Sequence, residues 1–218
     1  MRTFVLLIAL GPLACTRSPA PRAAPAVPIA PAVPITPAPP VAPLDDAIAK
    51  ILALGGTVTH DDAGSTVVKI DLHETAVTDA DLALLASFPE LLQLDLRKTS
   101  ITDAGIAHVA RLGKLRFLNV FRTKMTDRGL GSLANLVELE TLLMGGTLVT
   151  DAGMSQLGRL ARLRKLSLFD TAVGNDGVAR LERHPDLRVL LIGRSRVTDE
   201  GAARIKAAIP ELKFTEVL

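Results

Sequence analysis

The side chains best suited to acid–base or metal chemistry gather around His73, which stands beside Asp71 and Glu74, with Asp95 following 24 residues after Asp71. An imidazole and carboxylates on one face could move a proton or hold a divalent cation. Lys69, Arg97 and Lys98 fall among them, however, and cations so placed make ordinary ion pairs. The cluster reads as solvated charge. His60, His108 and His184 are scattered without metal-ligand spacing. The single cysteine, Cys15, follows an apolar run near the start of the chain and has no base beside it. The Gly145-Gly146 pair lacks the following helix and lysine that a phosphate-cradling loop needs. The expectation is a chain with no catalytic residues, no metal and no cofactor.

What must position any functional side chain here is a repeat. The segment Thr99 to Leu115 recurs, and its Thr-Asp anchor falls at Asp79, Asp103, Asp127, Asp151, Asn175 and Asp199, each 24 residues from the last. A fixed period in the twenties means a solenoid. Each unit opens LxxLxLxxT, as in Leu91-x-x-Leu94-x-Leu96-x-x-Thr99. Alternation sends Leu94 and Leu96 inward and Gln93, Asp95 and Arg97 outward. Strands one period apart run in the same direction and form a parallel sheet. The second half, T-D-x-G-apolar, turns into a short helix, with Thr102-Asp103 and their counterparts expected to cap it. Ile106, Val109 and Leu112 form one buried stripe, and Leu130, Leu133 and Leu136 the next. Glycine in the first turn (Gly105, Gly129, Gly153, Gly177, Gly201) lets adjacent coils approach, and Asp81 breaks the pattern in the first copy. Thr75, Thr99, Thr123, Thr147, Thr171 and Ser195 form a hydroxyl column serving backbone groups in the turn.

On these residues the chain resembles the leucine-rich-repeat family, from Val67 to about Val217, and more narrowly the ribonuclease-inhibitor-like branch with its T-D-x-G signature. The resemblance implies an α/β solenoid: a horseshoe with a parallel β-sheet on the concave face and short helices on the convex face. Thr or Ser stands where the repeats of F-box substrate receptors carry Cys, so a ubiquitin-ligase role is not implied.

Around the repeats the organisation is simple. Residues 1–15 read as a signal peptide, with Arg2, the apolar run Phe4 to Leu10 and then Leu13-Ala14. The run is too short to span a bilayer. Leu13-Ala14-Cys15 resembles a bacterial lipoprotein box, with Pro12 where such boxes carry an aliphatic residue, and makes Cys15 the expected lipidation site and membrane anchor. Residues 16–43 are a Pro/Ala-rich tether held near polyproline II, a stiff spacer or else a proline-rich ligand. Residues 44–66 read as an N-terminal cap. Its helix has Asp45 or Asp46 at the start and Gly55-Gly56 at the end, and a hairpin turns at Asp61 to Gly64. Residues 67–218 are the repeats, with Ile209 to Leu218 as a closing strand shielded by Lys213 and Glu216.

Only three of the 25 bases, Arg2, Arg17 and Arg22, precede Asp45, so the body sets 22 bases against 23 acids, and nucleic acid is not an expected partner. Three of the six phenylalanines fall on the outward sheet face. Phe117, Phe121 and Phe169, with Leu143, Val189 and Leu191, make an apolar patch rimmed by Arg97, Arg122, Lys165 and Arg194. An apolar centre with a polar edge is the layout of a protein-binding surface. Aromatic residues that merely stack along a sheet are the other reading. The expectation is an exported, membrane-tethered monomer of the cell envelope that binds a protein, peptide or other macromolecule through its concave face. The alternative is an envelope spacer with no specific ligand.

Overall fold

A computed structural model describes residues 43–214. The signal peptide, Cys15, nearly all of the tether, and Glu216 lie outside the described residues. Within them, eight strands form one sheet in chain order, β1 (Thr57–His60), β2 (Val67–Asp71), β3 (Gln93–Asp95), β4 (Phe117–Asn119), β5 (Thr141–Leu143), β6 (Lys165–Ser167), β7 (Val189–Leu191) and β8 (Lys213–Phe214). The β1–β2 pair is antiparallel and every later pair is parallel, so each coil adds one strand beside the last. The registers are 24 residues apart: Ile70 pairs with Leu94, then Leu118, Leu142, Leu166 and Leu190. All six are fully buried. An indel-free period demands that alignment, because a one-residue slip would turn the leucines to solvent.

Opposite the sheet run the helices α2 (Asp103–Val109), α3 (Asp127–Ser132), α4 (Asn175–Ala179) and α5 (Asp199–Ala208), while Asp81–Ser87 and Gly153–Arg159 are tighter 3₁₀ turns. The expected stripes, Ile106/Val109/Leu112 and Leu130/Leu133/Leu136, are buried against the sheet. The closing strand is shorter than the sequence suggests. Ile209 ends α5 with φ of −124°, and only Lys213–Phe214 pairs with β7.

The T-D-x-G motif holds the coils together, and not quite as capping rules predict. Thr102, Thr126 and Thr198 do cap helices through their hydroxyls. The aspartate, however, serves the next coil. Asp79 Oδ1 accepts from Thr102 N at 2.9 Å and Asp79 Oδ2 from Thr102 Oγ1 at 2.5 Å. Asp103 does the same for Thr126, and Asp127 for Thr150. The motif's glycine makes room for this carboxylate. A Cβ on Gly105, Gly129, Gly153 or Gly177 would run into Oδ1 of the preceding coil's aspartate. The last link is modified: Asn175 Oδ1 accepts from Thr198 N, and its Nδ2 donates to Thr198 Oγ1.

Asp81 now has a physical account. No repeat coil precedes it, so no carboxylate arrives for Thr78 and no glycine is needed. Asp81 itself accepts from Thr78 N at 3.0 Å and Thr78 Oγ1 at 2.7 Å, and pairs with Lys50 of the cap helix α1 (Leu44–Ala53) at 3.0 Å. The Thr78 hydroxyl bond, partly offset by burial, holds the Asp81 carboxyl below the usual range. In α1, Pro43 occupies the cap position, and Asp45 and Asp46 lie in the first turn instead, where their charge still suits the helix dipole. Gly55 alone supplies the left-handed residue, with φ of 84°. Gly56 is required for space, since a Cβ there would sit 2.7 Å from Leu72 Cδ2.

His184 gives the array a pH dependence. It is buried, with ring Nε2 3.0 Å from the Leu160 carbonyl oxygen, which makes that nitrogen the donor, and Nδ1 has no hydrogen-bond partner among the described residues. Burial lowers its pKa. A histidine depressed in the fold contributes stability that is present above its unfolded pKa of about 6.5 and lost as pH falls through the folded value. Urea midpoints between pH 7.5 and 5 should therefore fall for the natural chain, and His184→Gln should flatten that fall. Parallel curves would disprove the assignment.

Candidate functional site

Six residues, one per coil, leave the sheet in the left-handed region: Glu74, Lys98, Arg122, Gly146, Asp170 and Arg194, with φ from 55° to 66°. They aim the residue before each of them, His73, Arg97, Phe121, Gly145, Phe169 and Gly193, along the outward face. The threonine hydroxyls follow directly, and each donates to the carbonyl three residues back, as Thr99 Oγ1 does to Leu96 at 2.7 Å.

At the N-terminal end the charges are paired. His73 Nδ1 lies 2.6 Å from Asp71 Oδ1, Lys98 Nζ lies 2.5 Å from Glu74 Oε1, and Arg97 Nε lies 3.6 Å from Asp95 Oδ2. Burial raises the Asp71 pKa, but the backbone N–H and the imidazole of His73 together bring it below the ordinary value. The lysine beside Glu74 lowers that carboxyl too. No group of three or more His, Cys, Asp or Glu side chains could hold a metal ion among the described residues. The second outward column also satisfies the sheet exit. Asp71, Asp95 and Asn119 each accept the amide two residues on, from His73, Arg97 and Phe121, and Asn119 Nδ2 donates to Asp95 at 3.1 Å.

The C-terminal half differs. The same column continues as Leu143, Ser167 and Leu191, and no side chain serves the amides of Gly145, Phe169 and Gly193. Leu143 is 9% exposed and Leu191 1%, which corrects their placing in a solvated patch. Alternation points them outward, but strands one coil apart crowd the central column beneath its flanks. Ser167 is fully buried there, and its Oγ has no hydrogen-bond partner among the described residues.

What remains accessible is a row of rings and guanidinium groups. Phe117, Phe121, Phe169, Lys165 and Val189 are half-buried, and Arg97, Arg122 and Arg194 are exposed. The Phe121 and Phe169 centroids are 6.4 Å apart with planes tilted 41°. The Arg122 guanidinium lies 5.2 Å from the Phe121 centroid and that of Arg194 5.9 Å from Phe169. Phe117 makes no ring pair among the described residues.

Gly145-Gly146 is the seat for this row. A Cβ on Gly145 would come within 2.7 Å of the Phe169 carbonyl oxygen and 3.0 Å of the Phe121 ring, and one on Gly146 within 2.8 Å of Arg122 Cγ. The pair clears space for Phe121 and Arg122 to lie over the following coil. Sequence reasoning treated these glycines only as a failed phosphate loop. The clue was their register: Gly146 stands in line with Arg122, a position whose left-handed turn a glycine betrays.

The parallel sheet, buried leucine rows and opposing helices match solved structures. An internalin (inlF) from Listeria monocytogenes superposes with a TM-score of 0.57 at 20% identity, over 73% of this chain and 52% of that one. The fold is a leucine-rich-repeat solenoid. Internalin C2 from the same organism gives 0.52 at 21% identity, over 68% of this chain and 70% of that one. The solenoid thus spans about half the length of the first internalin, and at this identity the likeness is one of fold. No family model matches the chain. No curated protein does either.

Proposed function

We propose that this leucine-rich-repeat chain is a non-enzymatic binding module that recognises a protein through its sheet face. The supporting observation is the exposed row Phe121, Arg122, Phe169 and Arg194, held up by a glycine pair with no other structural task. Rings beside guanidinium groups at the centre of a face are the residue types that dominate protein interfaces. The T-D-x-G signature supports the ribonuclease-inhibitor-like branch. The leader, Cys15 and the Pro/Ala tether support export and a lipid-anchored or periplasmic position, with the stiff segment holding the module off the membrane. No helix among the described residues is long and apolar enough to cross a bilayer.

A spacer without a ligand is the second reading, favoured by the burial of Leu143 and Leu191, which shrinks the apolar patch. Affinity capture from envelope extract with the full chain and with Phe121→Ala/Phe169→Ala separates the two. A specifically retained protein should disappear with the double substitution while the thermal transition stays cooperative. Identical retention by both chains would leave the spacer.

A further inference from the structure

The left-handed column carries charge where glycine would fit without strain. Five of its six members are Glu74, Lys98, Arg122, Asp170 and Arg194, and only Gly146 is the residue this backbone favours. An L side chain at such a φ is held against a steric cost of about 1 kcal/mol or more. Something therefore favours charge at these positions, and the spatial pattern shows what.

Along the column the residues fall into neighbouring pairs one coil apart. Glu74 pairs with Lys98 at 2.5 Å, and Asp170 with Arg194 at 3.6 Å. Each outer pair sets one carboxylate against one cation. The middle pair is Arg122 and Gly146, and it has a cation but no carboxylate. No ion pair to Arg122 occurs among the described residues. Its stem lies over Gly146 and its guanidinium over the Phe121 ring, which fixes a planar fork facing solvent. Nearby, Lys165 also has no ion pair among the described residues, and the amides of Gly145 and Phe169 lack the side-chain acceptor that the N-terminal coils provide.

We infer that Arg122 binds a carboxylate brought by the partner, completing the middle pair of the column. The partner segment is an extended peptide with a Glu or Asp at Arg122 and apolar neighbours on Phe121 and Phe169. This rests on reading the sheet face as the binding surface, and it adds the charge of what binds there. Guanidinium and carboxylate form two parallel hydrogen bonds, so amides of the same shape bind less well. Salt screens an exposed pair of this kind.

The probe is a fluorescein-labelled ten-residue peptide alternating Glu and Leu, with a control in which every Glu is Gln, titrated into the full chain by anisotropy. The Glu peptide should bind at least tenfold tighter than the Gln peptide, and 0.5 M NaCl should remove most of the difference. Arg122→Gln, which keeps the stem over Gly146, should bring the Glu peptide to the level of the control, and Arg122→Lys should restore part of the gap. Equal affinity for the two peptides, no saturable binding of the Glu peptide, or unchanged binding by Arg122→Gln would each overturn the inference. If Phe121→Ala/Phe169→Ala weakens both peptides alike while Arg122→Gln changes neither, the binding face survives and the carboxylate is wrong. If neither variant matters, both readings fall.

Discussion

Replacing Gly153 with alanine should destabilise the solenoid by about 2–4 kcal/mol, through overpacking and a broken hydrogen-bonded pair. The sign is opposite to expectation for an exposed helix, where the same change stabilises by about 1 kcal/mol. A Cβ at Gly153 would run into Asp127 Oδ1 and lie 3.2 Å from Asp127 Cα, a backbone atom that cannot swing aside. That carboxylate is itself fixed by Thr150 N at 2.8 Å and Thr150 Oγ1 at 2.7 Å. Gly158 is the internal control: a Cβ there meets nothing within 4 Å, so Gly158→Ala should be neutral or mildly stabilising. The interpretation has a sharper check in non-additivity. Asp127→Ala removes the obstacle, so the double variant with Gly153→Ala should be less damaged than the sum of the singles by about 1–2 kcal/mol. Urea denaturation of the four chains measures it. Strict additivity would place the strain elsewhere.

Leu142→Ala should cost about 2–5 kcal/mol, the range for a fully buried leucine whose surroundings cannot collapse. Leu142 is fully buried between Leu118 and Leu166 in register, and strands on both sides hold it in place. A repeat array adds a further expectation, because each coil contacts only its neighbours. Hydrogen exchange should show lost protection first in β4, β5 and β6, while α1 and the β1–β2 hairpin keep theirs. Uniform loss along the array, or a cost below about 1 kcal/mol, would contradict a solenoid held by nearest-neighbour packing.

The fold was legible because its determinants repeat. Leucines every 24 residues declare one coil, the two-residue alternation within LxLxx declares a strand, and together they dictate parallel order. Position within a coil was equally readable, as the threonine column shows. What escaped is whatever depends on a partner in the next coil. Asp79 meets Thr102 and crowds Gly105, yet within its own unit it looks like a helix cap. Alternation likewise gives the direction of Leu143 and Leu191 but not how closely their flanks press in. The site was half visible. The phenylalanines and arginines could be placed on the right face, but their seat on Gly145-Gly146 and the vacancy opposite Arg122 are relations between coils.

The aspartate-to-threonine linkage always runs from an earlier coil to a later one, so the stack has a direction. A 24-residue block duplicated anywhere inside it brings a carboxylate for its successor, a threonine for its predecessor and a glycine where the two must pass. Such lengthening asks for no new chemistry. Ahead of Val77 the situation is reversed, because Asp81 already occupies Thr78 and fills the place a donor from in front would need. The molecule is therefore built to grow toward one end and is sealed at the other, a polarity that anyone adding or removing coils will meet.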